Sequence, residues 1–117
     1  MITVYRLKSC DTCRMARKWL AEKGMAHRFH DVRSDGLKVA TLATWADALG
    51  WEKLLNRRGT TWRNLPYTDK ESLEPETALA LMTAHPALIK RPVFDFGGHY
   101  AIGFDDSVKA LLNGGKA

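Results

Sequence analysis

The stretch ITVYRLKSCDTCRMARKWLAEKGMAHRFHDV, residues 2–32, changes its periodicity twice, and those two changes decide the fold. Residues 2–7, ITVYRL, are short, β-branched and aromatic and run into a polar turn, the pattern of a buried strand. Met15, Ala16, Trp19 and Leu20 then recur at helical spacing, Arg14, Arg17 and Lys18 take the other face, and Gly24 supplies a C-terminal stop. AHRFHDV, residues 26–32, returns to strand character. Strand, helix and strand in about 30 residues make a βαβ unit, whose crossover sets the two strands parallel.

Working outward, the pattern from Leu37 to His85 is helical. LKVATLATWADALG ends at Gly50, WEKLLN is a short helical turn, and EPETALALMTAH is bounded by Pro75 and Pro86, with Pro75 suited to a first helical turn. The chain then returns to strands, where Val93 to Phe96 and His99 to Ile102 flank Gly97-Gly98, a two-residue hairpin signal. Asp105 or Asp106 can cap a last helix that carries Val108, Leu111 and Leu112. The expected fold is α/β, a single domain over residues 1–117: βαβ, a helical insertion over about 37–85, then ββα, with a mixed four-stranded sheet. That is the outline of a thioredoxin-like domain.

Composition narrows the class. The 117 residues are 45% apolar and 26% charged, ordinary globular usage that fits one core. No apolar run approaches the roughly 20 residues of a membrane helix, and MITVYRLKS lacks the parts of a signal peptide. A cytoplasmic protein with no membrane partner is expected. The net charge of +5 permits contact with anions. With no dense Lys/Arg tract and no reader motif, direct nucleic-acid binding is not expected.

Cys10 and Cys13 are the two cysteines. Cytoplasmic thiols are kept reduced, and a bridge closing so short a loop would contribute only about 2 kcal/mol by chain entropy, so stapling is a poor reason for the pair. Zinc would need four ligands, and there is no second cysteine pair. His27 and His30 stand at an odd offset in a strand and point to opposite faces; no metal is expected. An inert buried pair is the plain alternative, since cysteine often serves as a small hydrophobe. Position favours reactivity instead. Cys10 falls where a strand gives way to a helix, where unpaired N–H groups and the helix dipole attract negative charge, and Lys8, Arg14 and Arg17 add positive potential, although Asp11 opposes it. Such surroundings lower a cysteine pKa toward neutrality and yield the attacking thiolate. Cys13, one turn on, is placed to resolve a mixed disulfide formed on Cys10.

VYRLKSCDTCRMARKWL, GLKVATLATWADALGWEKLLNRRGTTWRNL, ALMTAHPALIKRPV and IGFDD together resemble the ArsC/Spx/YffB family of arsenate-reductase-like proteins, most of all its YffB branch. The resemblance covers nearly the whole chain and implies a thioredoxin-like fold with a helical insertion. It implies that Cys10 is the reactive cysteine, that Arg91 holds an oxyanion at the thiol, and that Pro92 is cis beside the site. Arg58 matches an arginine frequent in the Spx and YffB branches. Asn56 and Gly103 stand where arsenate reductases carry basic residues, which argues against arsenate as substrate. The implied activity is a glutathione-dependent thiol-disulfide oxidoreductase. Cys10, Cys13 and Arg91 would be catalytic, Lys8, Arg14, Arg58 and Pro92 would bind substrate, and glutathione would be a cosubstrate with no cofactor bound. Two alternatives remain. One is an Spx-type redox-sensing regulator that meets RNA polymerase through the segment around Gly50; the other is an arsenate reductase.

Overall fold

The computed structural model describes residues 2–6, 10–71 and 73–115, with residues 114 and 115 described by their backbone alone. Their contacts divide the chain into two compact units, one built from the segments up to Gly36 and from Arg91 onward, the other from Leu37–Lys90.

The first unit is a mixed sheet with two helices. Strand β1 (Ile2–Arg6) leads to helix α1 (Asp11–Glu22) and strand β2 (His27–Asp31); strands β3 (Val93–Phe96) and β4 (His99–Ile102) form the later hairpin. The strand order is β2-β1-β3-β4. β1 runs parallel to β2, with Val4 opposite Phe29, and antiparallel to β3, with Val4 opposite Phe94. The hairpin closes on Gly97 and Gly98, both with positive φ (+70° and +86°), as a tight two-residue turn between right-twisted strands requires.

Alternation along β1 puts Ile2 and Val4 on one face. They join Phe94 and Ala101 of the sheet, Ala16 and Leu20 of α1, and Val108 and Leu112 of the last helix in one buried cluster. Each fully buried large side chain there is worth about 1.5–3 kcal/mol. Two expectations need correction. Met15 does not join this core but is 58% exposed, and Leu111 is 53% exposed. The buried stripe of α1 is Cys13, Ala16 and Leu20, at i, i+3 and i+7; Met15, one position off that stripe, is carried round to solvent by the 100° step.

The second unit is helical: α2 (Val39–Leu49), α3 (Trp51–Leu54), α4 (Thr60–Arg63), α5 (Tyr67–Lys70) and α6 (Pro75–Ala84), followed by a 3₁₀ turn over Pro86–Leu88. Helices α2, α3 and α6 pack on one another, and Leu42, Trp45, Leu54 and Met82 are fully buried. Pro75 opens α6, where its missing N–H costs nothing, and the Thr77 hydroxyl accepts the Glu74 N–H at 2.9 Å. An antiparallel bridge between Leu55 and Ile89 ties the α3 end to the segment after α6. Among the described residues, no helix is long and apolar enough to cross a membrane. The remaining helix, α7 (Asp106–Gly115), closes the first unit.

Candidate active site around Cys10

Cys10 is the N-cap of α1. Its backbone is extended (φ −95°, ψ 116°), and its sulfur accepts the N–H of Cys13 at 3.3 Å. A serine or aspartate oxygen ordinarily performs this duty at a helix start; here a sulfur does. Electron density on that sulfur therefore faces an N–H that has no partner within the helix and the positive end of the helix dipole. The two thiols are not equivalent. Cys10 is half-buried, whereas Cys13 is 1% exposed and faces the core with Ala16 and Leu20. A reagent arriving from solvent meets Cys10 first.

The register of the sheet brings other residues to this edge. Val93 lies opposite both Tyr5 and Ile102. The start of β3 and the end of β4 thus sit at the end of the sheet where β1 finishes. The Arg91–Pro92 peptide bond, immediately before β3, is cis. Pro92 is buried, and its carbonyl accepts the N–H of Gly103 at 2.9 Å, joining the two strand ends. Arg91 is half-buried. Gly103 has φ +83°, a conformation that costs an L-residue about 1–2 kcal/mol. An arginine at that position would carry that strain.

The remaining expected residues are placed as follows. Arg14 and Asp11 form an ion pair on the exposed face of α1, so the charge expected to favour a thiolate and the charge expected to oppose it are held together. Arg17 lies over the Phe29 ring at 5.3 Å, with Arg6 on the same ring at 5.0 Å. Arg58 belongs to the helical unit, on the exposed loop before α4. Lys8 lies outside the described residues. Tyr5, on the β1 face opposite Val4, has its hydroxyl pKa raised by burial and then by the Asp95 carboxylate, and it keeps its proton at neutral pH. Sequence reasoning gave Asn56 no structural task, yet its side chain closes the loop that carries Arg58; the spacing Asn-Arg-Arg-Gly was the available turn signal. Among the described residues no group of three His, Cys, Asp or Glu side chains is placed to hold a metal ion.

Comparison with known proteins identifies the lineage. A model of the ArsC family matches residues 5–110. The chain belongs to the ArsC family. An uncharacterized protein of Haemophilus influenzae is 46% identical over 106 residues, which cover 91% of this chain and 93% of that protein. A solved structure of a YFFB protein superposes with a TM-score of 0.90 at 40% identity, covering 95% of this chain and 97% of that one. The global transcriptional regulator Spx of Streptococcus agalactiae is 28% identical over 115 residues, covering 96% of this chain and 83% of the regulator. The mixed four-stranded sheet with its helices is therefore the ArsC-family version of the thioredoxin-like fold, in agreement with the element order read from the sequence.

Proposed function

We propose that this ArsC-family chain is a thiol-disulfide oxidoreductase that uses glutathione. The observation that carries the reading is the unequal cysteine pair: a half-buried Cys10 sulfur held at a helix start by the Cys13 N–H, with the Cys13 thiol sealed behind it. That arrangement suits a nucleophile and a resolving group. The Cys10 thiolate attacks one sulfur of a disulfide, forming a mixed disulfide and expelling the other half as a thiolate that takes up a proton. The Cys13 thiolate then attacks the Cys10 sulfur, releases the bound half as a second thiol, and leaves a Cys10–Cys13 disulfide. Two molecules of glutathione restore both thiols and leave as glutathione disulfide.

Arg91 is the candidate for the carboxylate of the bound tripeptide, with Lys8 and Arg14 as further cations and Pro92 shaping the wall. Charge-assisted contacts of this kind are worth about 1.5–3 kcal/mol each. Arsenate is the weaker substrate on the same reasoning. Asn56 and Gly103 bring no charge to an oxyanion, and the Gly103 backbone disfavours an arginine there.

The test is intact mass after incubation with glutathione disulfide at neutral pH. The wild-type chain is expected to lose two hydrogens as its internal disulfide forms, Cys13→Ser to retain one glutathione, and Cys10→Ser to gain none. Absence of both products in the wild type overturns the reading.

The Spx relative supports one further reading, because it matches along 96% of this chain. The cysteine pair would then be a sensor, oxidation would alter the packing of α1, and the partner would be RNA polymerase. Co-purification of polymerase subunits, lost in Cys10→Ser, would favour it.

A further inference from the structure

We propose that Arg6 and Arg17, gathered on the ring of Phe29, form an anion site beside Cys10 that takes a second carboxylate of the disulfide substrate; this rests on the glutathione reading above. All three residues belong to the sheet unit that carries Cys10. Arg6 ends β1, Arg17 stands on the exposed side of α1, and Phe29 is half-buried on β2. The two guanidinium carbons lie 5.0 and 5.3 Å from one ring centre, so they are no more than about 10 Å apart. Like charges at that separation repel. Among the described residues neither guanidinium makes a hydrogen bond or an ion pair.

The neighbouring charges have other tasks. On α1, Arg14 pairs with Asp11, and Lys18 approaches Glu22 at 4.0 Å. Asp31, opposite Arg6 in the β1–β2 register, accepts the N–H groups of Arg33 and Ser34 on its Oδ1 at 2.8 and 2.9 Å. Phe29 engages both cations through its ring but offers no lone pair, which leaves the guanidinium N–H donors unspent. The Arg6 Nε is buried without an acceptor, and a cation held partly out of water attracts an anion more strongly than one in bulk solvent. Placement relative to Cys10 sets the ligand. Arg17 follows Cys10 by seven residues, so it stands almost two turns on, nearly in line along α1 and about 10 Å away along the axis. Its Cα–Cβ bond tilts back toward the helix N-terminus. A tripeptide spans up to about 10 Å. A ligand whose sulfur meets Cys10 can therefore set a terminal carboxylate between that cysteine and the paired guanidiniums.

The rate of a single step tests this on the full chain carrying Cys13→Ser, in which the Cys10 thiolate displaces one glutathione thiolate from glutathione disulfide and keeps the other half. Quenched intact mass follows the adduct against time. Adding Arg17→Gln, or Arg6→Gln, is expected to slow adduct formation about five- to tenfold, while the rate with hydroxyethyl disulfide, which has no carboxylate, stays within about twofold. Lys18→Gln removes the same charge from the next position on α1 and should leave both rates within about twofold, which separates contact from long-range attraction. An Arg17→Gln rate with glutathione disulfide that matches the parent, or that falls no further than in Lys18→Gln, overturns the proposal. An equal slowing with both disulfides also overturns it, because the arginine would then act on the thiol rather than on a carboxylate. Both results leave the oxidoreductase reading intact, since the adduct still forms. Failure of the Cys13→Ser parent to form any adduct overturns both. Should Arg6→Gln fail to fold, Arg17→Gln, an exposed substitution, decides alone.

Discussion

Asp105 Oδ1 accepts hydrogen bonds from the Ser107 hydroxyl at 2.7 Å and the Val108 N–H at 3.0 Å, and so caps α7. Those two contacts, the hydroxyl first, hold its carboxyl below the usual carboxylate value. A folded-state pKa lower than the unfolded one means that the unfolded chain takes up the proton more readily. The stabilisation is complete above the ordinary carboxylate pKa and is lost as pH falls through the lowered one. Asp105→Ala should lower the thermal midpoint at pH 7, and the gap to wild type should close in acid. Asp105→Asn keeps an acceptor without the charge and should show a smaller deficit at pH 7; its own cap does not titrate, so that gap also closes as the wild-type carboxylate is protonated. Thermal melts of the three chains across pH check this. Sequence had left Asp105 and Asp106 as equal candidates for the cap, because both precede the helix by a workable offset; only side-chain geometry separates them.

Helix α1 shows what a segment contributes beyond its residues. Leu20 is fully buried and belongs to the sheet-facing cluster, whereas Met15, drawn from the same apolar set, faces solvent. Leu20→Ala should therefore cost about 2–5 kcal/mol, and Met15→Ala should stay within about 0.5 kcal/mol; urea unfolding midpoints measure both. Period and turn chemistry are local, so the βαβ run and the hairpin on Gly97-Gly98 were legible, the latter with both strands at the observed bounds. Met15 and Leu111 were misplaced because the width of a buried stripe is set by what packs against it. Helices α4 and α5, four residues each, are too short to carry a period. The site was legible in the same proportion. Cys10 at a strand-to-helix junction is local information, while the arrival of Pro92 and the start of β3 beside the end of β1 depends on pairing between strands far apart in sequence.

Over the whole molecule, a net charge of +5 acts on approach more than on contact. Glutathione disulfide is an anion, and the screening length shortens from about 30 Å at 0.01 M salt to about 8 Å at 0.15 M. The second-order rate of Cys10 oxidation by glutathione disulfide should fall over that range, while the rate with an uncharged disulfide such as hydroxyethyl disulfide stays level. Stopped-flow fluorescence or quenched mass measurements follow both. The chain also lends itself to finding its own partners, for a reason that lies in one hydrogen bond. The donor that holds the Cys10 sulfur is the main chain of residue 13, so the side chain there can be exchanged without removing the donor. Cys13→Ser then acts as bait: it keeps the anchored nucleophile, lacks the escape route, and stays covalently joined to the disulfide it has opened, which can be cut out of a non-reducing gel and sequenced.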